Sequence, residues 1–98
     1  MRYRVVSEFS REFAHHLSDI IRESPATVLQ SVIADRLPNN RSQGYVSERL
    51  TGKRPIDTDM IAVIADLLGY SPAWLVGQVI GRMGREGLID PGSGMSDT

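Results

Sequence analysis

The chain has 98 residues, 41 % of them hydrophobic and 23 % charged, with no cysteine and a formal net charge of −1 at pH 7. This length and composition predict one globular domain rather than a disordered chain, and the lack of cysteine excludes disulfides, thiolate zinc sites and cysteine nucleophiles. No apolar run approaches the ~18 residues of a membrane span, and no signal-peptide core follows the start, so we expect a cytoplasmic protein.

The first two predicted helices follow an alternating stretch, residues 1–6, that fits either a short strand or an ordered arm. Ser7 or Ser10 is expected to cap the first helix, whose apolar residues share one face: Phe9, Phe13, Leu17, Ile20 and Ile21. Ser24-Pro25 predicts the start of the second helix, because proline suits the first helical position. Its expected buried stripe is Val28, Leu29, Val32, Ile33 and Leu37, and Pro38 ends it.

The third predicted helix follows a polar turn at residues 39–41. Ser42 is expected to cap it, Val46 and Leu50 to face inward, and Gly52 to end it after Thr51. Residues 53–56 are predicted to be extended, because a residue before proline avoids the helical region.

Two more helices are predicted before a polar end. Asp57 or Thr58 caps the fourth, whose inward residues are Ile61, Ile64, Ala65 and Leu68, and Gly69 ends it. Ser71-Pro72 opens the fifth, with Leu75, Val76, Val79, Ile80 and Met83 on its apolar face. The sequence therefore predicts an all-α domain at residues 1–86, a compact bundle of about five short helices, and a flexible tail at 87–98.

The charges are segregated along the chain rather than mixed. Residues 38–56 hold Arg41, Arg49, Lys53 and Arg54 against Glu48, a balance of +3, and residues 57–70 balance it with −3. A near-neutral protein can carry one positive face in this way, and such a face suits nucleic acid.

Helices two and three have the lengths of a helix-turn-helix, and the third is flanked by the basic residues. The run from Ser42 to Pro55 reads SQGYVSERLTGKRP, and a capped apolar helix ending in Leu68-Gly69 follows it. This combination resembles the Cro/repressor-type (XRE) helix-turn-helix family, in the variety found in phage repressors and actinobacterial regulators. The resemblance runs from about Val28 to Leu75 and implies a lambda-repressor-like fold. The turn is longer than in the shortest family members.

A helix that enters the major groove reads bases with its outward residues. With Val46 and Leu50 inward, the predicted base-reading residues are Gln43, Gly44, Ser47 and Glu48. Glu48 has an alternative role as an ion-pair partner of Arg49 or Arg41, and the whole face can also be an ordinary solvated one.

Phosphate contacts are predicted at the two ends of the third helix and, by the resemblance, at the start of the second. Gln30 is the residue that the resemblance implies for the second helix. The others are Arg41, Ser42, Tyr45, Lys53 and Arg54, with core packing as the alternative role of Tyr45.

The fifth helix is the expected contact between two subunits. Gly77, Gly81 and Gly84 form a bare stripe beyond Trp74, which suggests that residues 72–86 gain support from a partner. The predicted dimerisation residues are Trp74, Leu75, Val79, Ile80 and Met83. In the alternative interpretation the helix ends near Ile80 and the glycines belong to a frayed end.

Together these patterns predict a sequence-specific DNA-binding transcriptional regulator, expected to be a nucleoid-associated repressor of phage or mobile-element type. We expect double-stranded DNA and a second copy of the chain as partners, and no enzymatic activity, cofactor, small-molecule ligand or membrane. No metal site is expected, because the adjacent His15 and His16 point about 100° apart on a helix. The alternatives are a protein-interaction module, such as an antitoxin or adaptor, and an architectural nucleoid-type DNA binder.

Overall fold

The computed structural model of this chain describes residues 6–85. They form five α-helices: α1 (Glu8–Glu23), α2 (Gln30–Arg36), α3 (Gln43–Leu50), α4 (Thr58–Leu68) and α5 (Pro72–Arg85). No strand occurs among the described residues, and the predicted all-α fold of five helices is confirmed. The predicted strand or arm, apart from Val6, and the predicted tail at 87–98 lie outside the described residues.

Four of the helices begin where a side-chain oxygen accepts a hydrogen bond from a backbone N–H of the first turn. The acceptors are Ser7, Ser42, Asp57 and Ser71, at O···N distances of 3.0, 3.0, 2.8 and 3.1 Å. This geometry satisfies an amide that has no partner within the helix. The predicted starts of α1, α3, α4 and α5 are confirmed.

The predicted start of the second helix at Ser24-Pro25 is wrong, because α2 begins at Gln30. The backbone N–H of Ser24 instead ends α1 by donating to the Ile21 carbonyl at 3.2 Å. Its hydroxyl accepts from the Ala26 N–H at 3.1 Å, which closes a local turn. This bond is of the kind that caps a helix, but residues 25–29 are not helical, and Leu29 has extended backbone at the N-cap of α2.

The late start of α2 also corrects its buried stripe. Leu29 has extended backbone at the N-cap and is 54 % exposed, and Val32 is 37 % exposed. Only two turns of helix remain, so Ile33, Ala34 and the following Leu37 are the buried residues of this segment.

One hydrophobic core takes side chains from every helix. Leu17 of α1, Ile33 of α2 and Val46 of α3 are fully buried, together with Met60 and Ile64 of α4. The predicted inward face of α4 missed Met60, while the expected Ile61 and Leu68 are only partly buried. The complete buried apolar cluster is Phe13, Leu17, Ile33, Ala34, Leu37, Val46, Met60, Ile64, Ala65, Leu75, Val79 and Met83.

The most apolar face of helix α5 packs into this core and is not at the surface. Leu75, Val79 and Met83 recur every four residues and are at most 1 % exposed. Packing within one subunit therefore explains why these three residues are apolar. Because they are buried, they are not available as the dimerisation residues that the sequence predicted. The helix continues through Arg85, so the alternative in which it ends near Ile80 is wrong.

Helices α1 and α5 are joined at the surface by an ion pair. The Arg82 guanidinium donates to both carboxylate oxygens of Glu23, at 2.7 and 3.1 Å. These hydrogen bonds lower the pKa of Glu23 and raise the pKa of Arg82.

Within the described part of the chain, no single helix is long and apolar enough to cross a membrane. Helices α4 and α5 reach the necessary length and apolarity only when taken together, and a bend of 99° separates them.

Candidate nucleic-acid interface

A tight turn after α2 sets the position of α3. Asn39 and Asn40 have φ angles of 68° and 51°, in the left-handed region that asparagine adopts more readily than most residues. Ser42 follows as the cap of α3, which packs against α2 and α1. The polar turn predicted here is confirmed, and it places α3 with one face on the core.

The two sides of α3 differ in burial as the sequence predicts. Val46 is fully buried and Leu50 packs partly against the core. Gln43, Gly44 and Glu48 are exposed and Ser47 is half-buried. An eight-residue helix is ~12 Å long, so these four residues lie within two turns of one another. The structure thus brings all four predicted base-reading residues together.

Gly44 has no role in packing within the subunit. A Cβ at this position would meet Ser42 Oγ at 3.6 Å, which is an ordinary van der Waals contact. The chain could accept a side chain here, so the bare backbone is available for close approach by a partner.

Glu48 lies among basic side chains, as its alternative ion-pair role predicts. Its carboxylate is 3.4 Å from Arg54 Nε and 3.8 Å from an Arg49 guanidinium nitrogen. The Glu48 carbonyl also accepts from the backbone N–H groups of Lys53 and Arg54, at 2.8 and 3.2 Å. Glu48 therefore holds the loop after α3 and partly neutralises it.

Exposed cations flank α3 at both ends. Arg41 precedes the Ser42 cap, and Lys53 and Arg54 follow the helix. The Ser42 oxygen accepts the Tyr45 N–H, while its hydroxyl proton can still be donated to an anion. The arrangement presents positive charge on either side of the polar face.

The structure corrects the predicted phosphate contact of Tyr45. Its hydroxyl donates to an Asp57 carboxylate oxygen, while the other Asp57 oxygen caps α4. The ring is partly buried and lies between two guanidinium groups, with Arg49 Cζ 3.5 Å and Arg41 Cζ 4.4 Å from its centroid. Tyr45 thus joins α3 to the start of α4 and positions Arg41.

The bond to Asp57 raises the pKa of the Tyr45 hydroxyl above its usual value. Partial burial adds to this effect, and the two guanidinium groups oppose it. The protonated phenol is therefore the form that the folded protein stabilises.

Gln30 is the first residue of α2, where the resemblance implies a phosphate contact. It is half-buried and lines a hollow that it shares with Leu50 and Thr51 at the end of α3. The corrected start of α2 therefore places Gln30 at the helix end that this role requires.

No protein-family model, curated protein or solved structure matches this chain.

An aromatic pair at the start of α5 was not predicted from the sequence. Tyr70 and Trp74 stack with ring centroids 3.8 Å apart and an angle of 19° between the rings. Tyr70 is 49 % and Trp74 41 % exposed, so the pair forms a flat apolar surface. The spacing of four residues is the sequence signal for this pair, although Tyr70 lies before the Ser71-Pro72 helix start.

The two adjacent histidines differ in environment. His15 is exposed and lies 3.5 Å from Asp19, whereas His16 is buried. Residues 6–85 contain no group of three or more potential metal ligands of the His, Asp or Glu type.

Proposed function

We propose that this chain is a helix-turn-helix DNA-binding regulator of the Cro/repressor type, with α3 as its recognition helix. The observation that carries the proposal is the exposed polar face of α3 with cations beyond both ends. This is the arrangement required to place side chains against base edges while the flanks hold phosphates.

The residues of α3 have separate roles in this proposal. Gln43 can form two hydrogen bonds with adenine, and Ser47 can reach a base edge. Gly44 lets the backbone approach the groove. Glu48 takes the role of positioning Arg54, and its exposed carboxylate can accept from cytosine.

The flanking residues fix the register of the helix on DNA. Lys53 and Arg54 bind the backbone after α3, and Arg41 and Ser42 bind it before the helix. Gln30 adds a neutral donor from α2. Phosphate contacts of this kind contribute affinity without reading sequence.

One recognition helix reads few base pairs, so the proposal includes a homodimer on a two-fold-related site. The exposed Trp74 and the partly buried Ile80 remain as contact residues on α5, and the stack adds Tyr70. A repressor of phage or mobile-element type, acting at the nucleoid, would use such a dimer.

The aromatic pair also favours a second function, that of a protein-interaction module such as an antitoxin or adaptor. Exposed aromatic side chains are enriched at protein interfaces. An architectural DNA binder would use the same α3 surface with little sequence preference.

Selection of bound sites from random DNA by the full chain tests these three functions. A regulator enriches one sequence arranged as a palindrome with half-sites about one helical turn apart. Diffuse enrichment favours an architectural protein, and no enrichment contradicts DNA binding and favours an interaction module.

A further inference from the structure

A polar stripe runs along α1 beside the candidate interface. Arg11, His15, Ser18 and Arg22 recur at spacings of four, three and four, which places them on one face of the helix. The two arginines are exposed, and a rise of 1.5 Å per residue separates them by ~16 Å.

The stripe forms one wall of a hollow of about 390 Å³. The opposite wall consists of Val28 and Gln30 near the start of α2, and of Leu50 and Thr51 at the end of α3. Ser18 fixes the distance between the walls, because its hydroxyl donates to the Leu50 carbonyl at 2.9 Å.

This hollow continues the interface proposed above. Thr51 follows Gln43 and Ser47 at spacings of four and therefore lies on the same side of α3. At the other end, Gly52 has a φ of 83°, and a Cβ added there would lie 3.5 Å from the Arg11 Cα. Arg11 thus adjoins the loop that carries Lys53 and Arg54.

The charge of the stripe remains positive after its internal contacts are counted. Arg11 donates to the neutral Val6 carbonyl at 2.6 Å, so its charge is not cancelled. Arg22 pairs with Asp19, but a guanidinium has five N–H donors and retains others for a second anion. Arg22 and His15 share that one carboxylate.

We propose that this stripe is a second DNA-backbone site, in which Arg11 and Arg22 bind different phosphates of the strand next to α3. The inference rests on the proposed function, because it extends the same interface. Each strand of B-DNA carries a phosphate every ~3.4 Å along the axis, so two cations ~16 Å apart contact separate phosphates. Gln30, on the opposite wall of the hollow, adds a neutral donor to this site.

The test measures the salt dependence of binding by the full chain to a fluorescent mixed-sequence DNA duplex. Each of Arg11→Gln and Arg22→Gln is expected to reduce the magnitude of the log–log salt slope by ~0.9, and the double variant by about twice that. Arg22→Lys keeps the charge and should keep the slope. Arg36→Gln is the matched control, because Arg36, like Arg22, is an exposed arginine paired with an aspartate (Asp66, at 2.5 Å), but it does not line the hollow.

Arg54→Gln separates failure of this inference from failure of the proposed function. If Arg54→Gln lowers the slope while both stripe variants keep it, the stripe is not a phosphate site and the proposed function stands. If Arg36→Gln lowers the slope as much as the stripe variants, the effect is one of net charge and the inference is overturned. If the unmodified chain does not bind the duplex, both proposals fail. Circular dichroism checks that each variant is folded.

Discussion

Gln43 is the residue whose substitution separates reading of bases from general affinity for DNA. We expect Gln43→Ala to cost ~1–3 kcal/mol at one base position and to relax the preference there, because the two hydrogen bonds to adenine are lost. Competition binding with single-base variants of the selected site measures the effect. Gln78→Ala, at an exposed position of α5, is the control. An unchanged base preference in Gln43→Ala contradicts the assignment.

Substitution of Tyr45 tests whether its hydrogen bond to Asp57 stabilises the packing of α3 against the start of α4. Tyr45→Phe keeps the ring between the two arginines but removes the hydrogen bond to Asp57, so the free energy of unfolding should fall by ~1–2 kcal/mol. Denaturant unfolding at neutral pH measures this change. Equal stability of the two proteins would show that the hydroxyl contributes nothing.

The same hydroxyl predicts a dependence on alkaline pH. Its pKa is raised in the folded state above the ordinary value of 10.0, so the stabilisation is complete below pH 10.0. It is lost as the pH rises through the folded-state pKa, because the unfolded chain releases its proton first. Tyr45→Phe should lack this part of the alkaline decrease in stability. The decrease would be identical in both proteins if Tyr45 were not responsible.

Among the helices, Gly77 within α5 and Gly69 at the end of α4 should change the stability of the fold in opposite directions when each is replaced by alanine. Gly77→Ala should stabilise the fold by ~1 kcal/mol, because a Cβ there meets nothing within 4 Å and alanine favours helix. Gly69→Ala should destabilise it by ~1–2 kcal/mol, because Gly69 ends α4 with a φ of 88°. Thermal unfolding of both variants measures the difference. The same sign for both would contradict this account of the helix ends.

The helix ends also show how far sequence predicts this fold. Ser42 and Asp57 could be identified as caps because their hydrogen bonds reach only three residues along the chain. Ser24 carries the same signal and accepts the Ala26 N–H, but residues 25–29 do not continue as a helix and α2 begins at Gln30.

The candidate site was predictable to the extent that its features are local. The exposed face of α3 follows from helical spacing alone. The bond from Tyr45 to Asp57 and the position of Arg11 beside Gly52 depend on how helices pack, and no local pattern contains that information.

In the whole molecule, the proposed dimer can use only side chains that the core does not bury, such as the exposed Trp74. Removal of α5 would disrupt the core, since Leu75, Val79 and Met83 are core residues. Trp74→Gln instead changes an exposed side chain, and it should shift the full chain toward monomer in sedimentation at tens of micromolar. Phe9→Gln, at a 51 % exposed position on α1, is the control and should not. An unmodified chain that sediments as a monomer with and without DNA would exclude the dimer.

Amide NMR of the full, ¹⁵N-labelled chain can test whether α3 and the basic loop after it bind DNA. The labelled protein is titrated with a duplex that contains the selected site. We expect the largest shift changes on residues 43–54, which include the predicted base-reading face and the loop with Lys53 and Arg54. Shift changes confined to Tyr70 and Trp74, with residues 43–54 unaffected at saturating duplex, would contradict it.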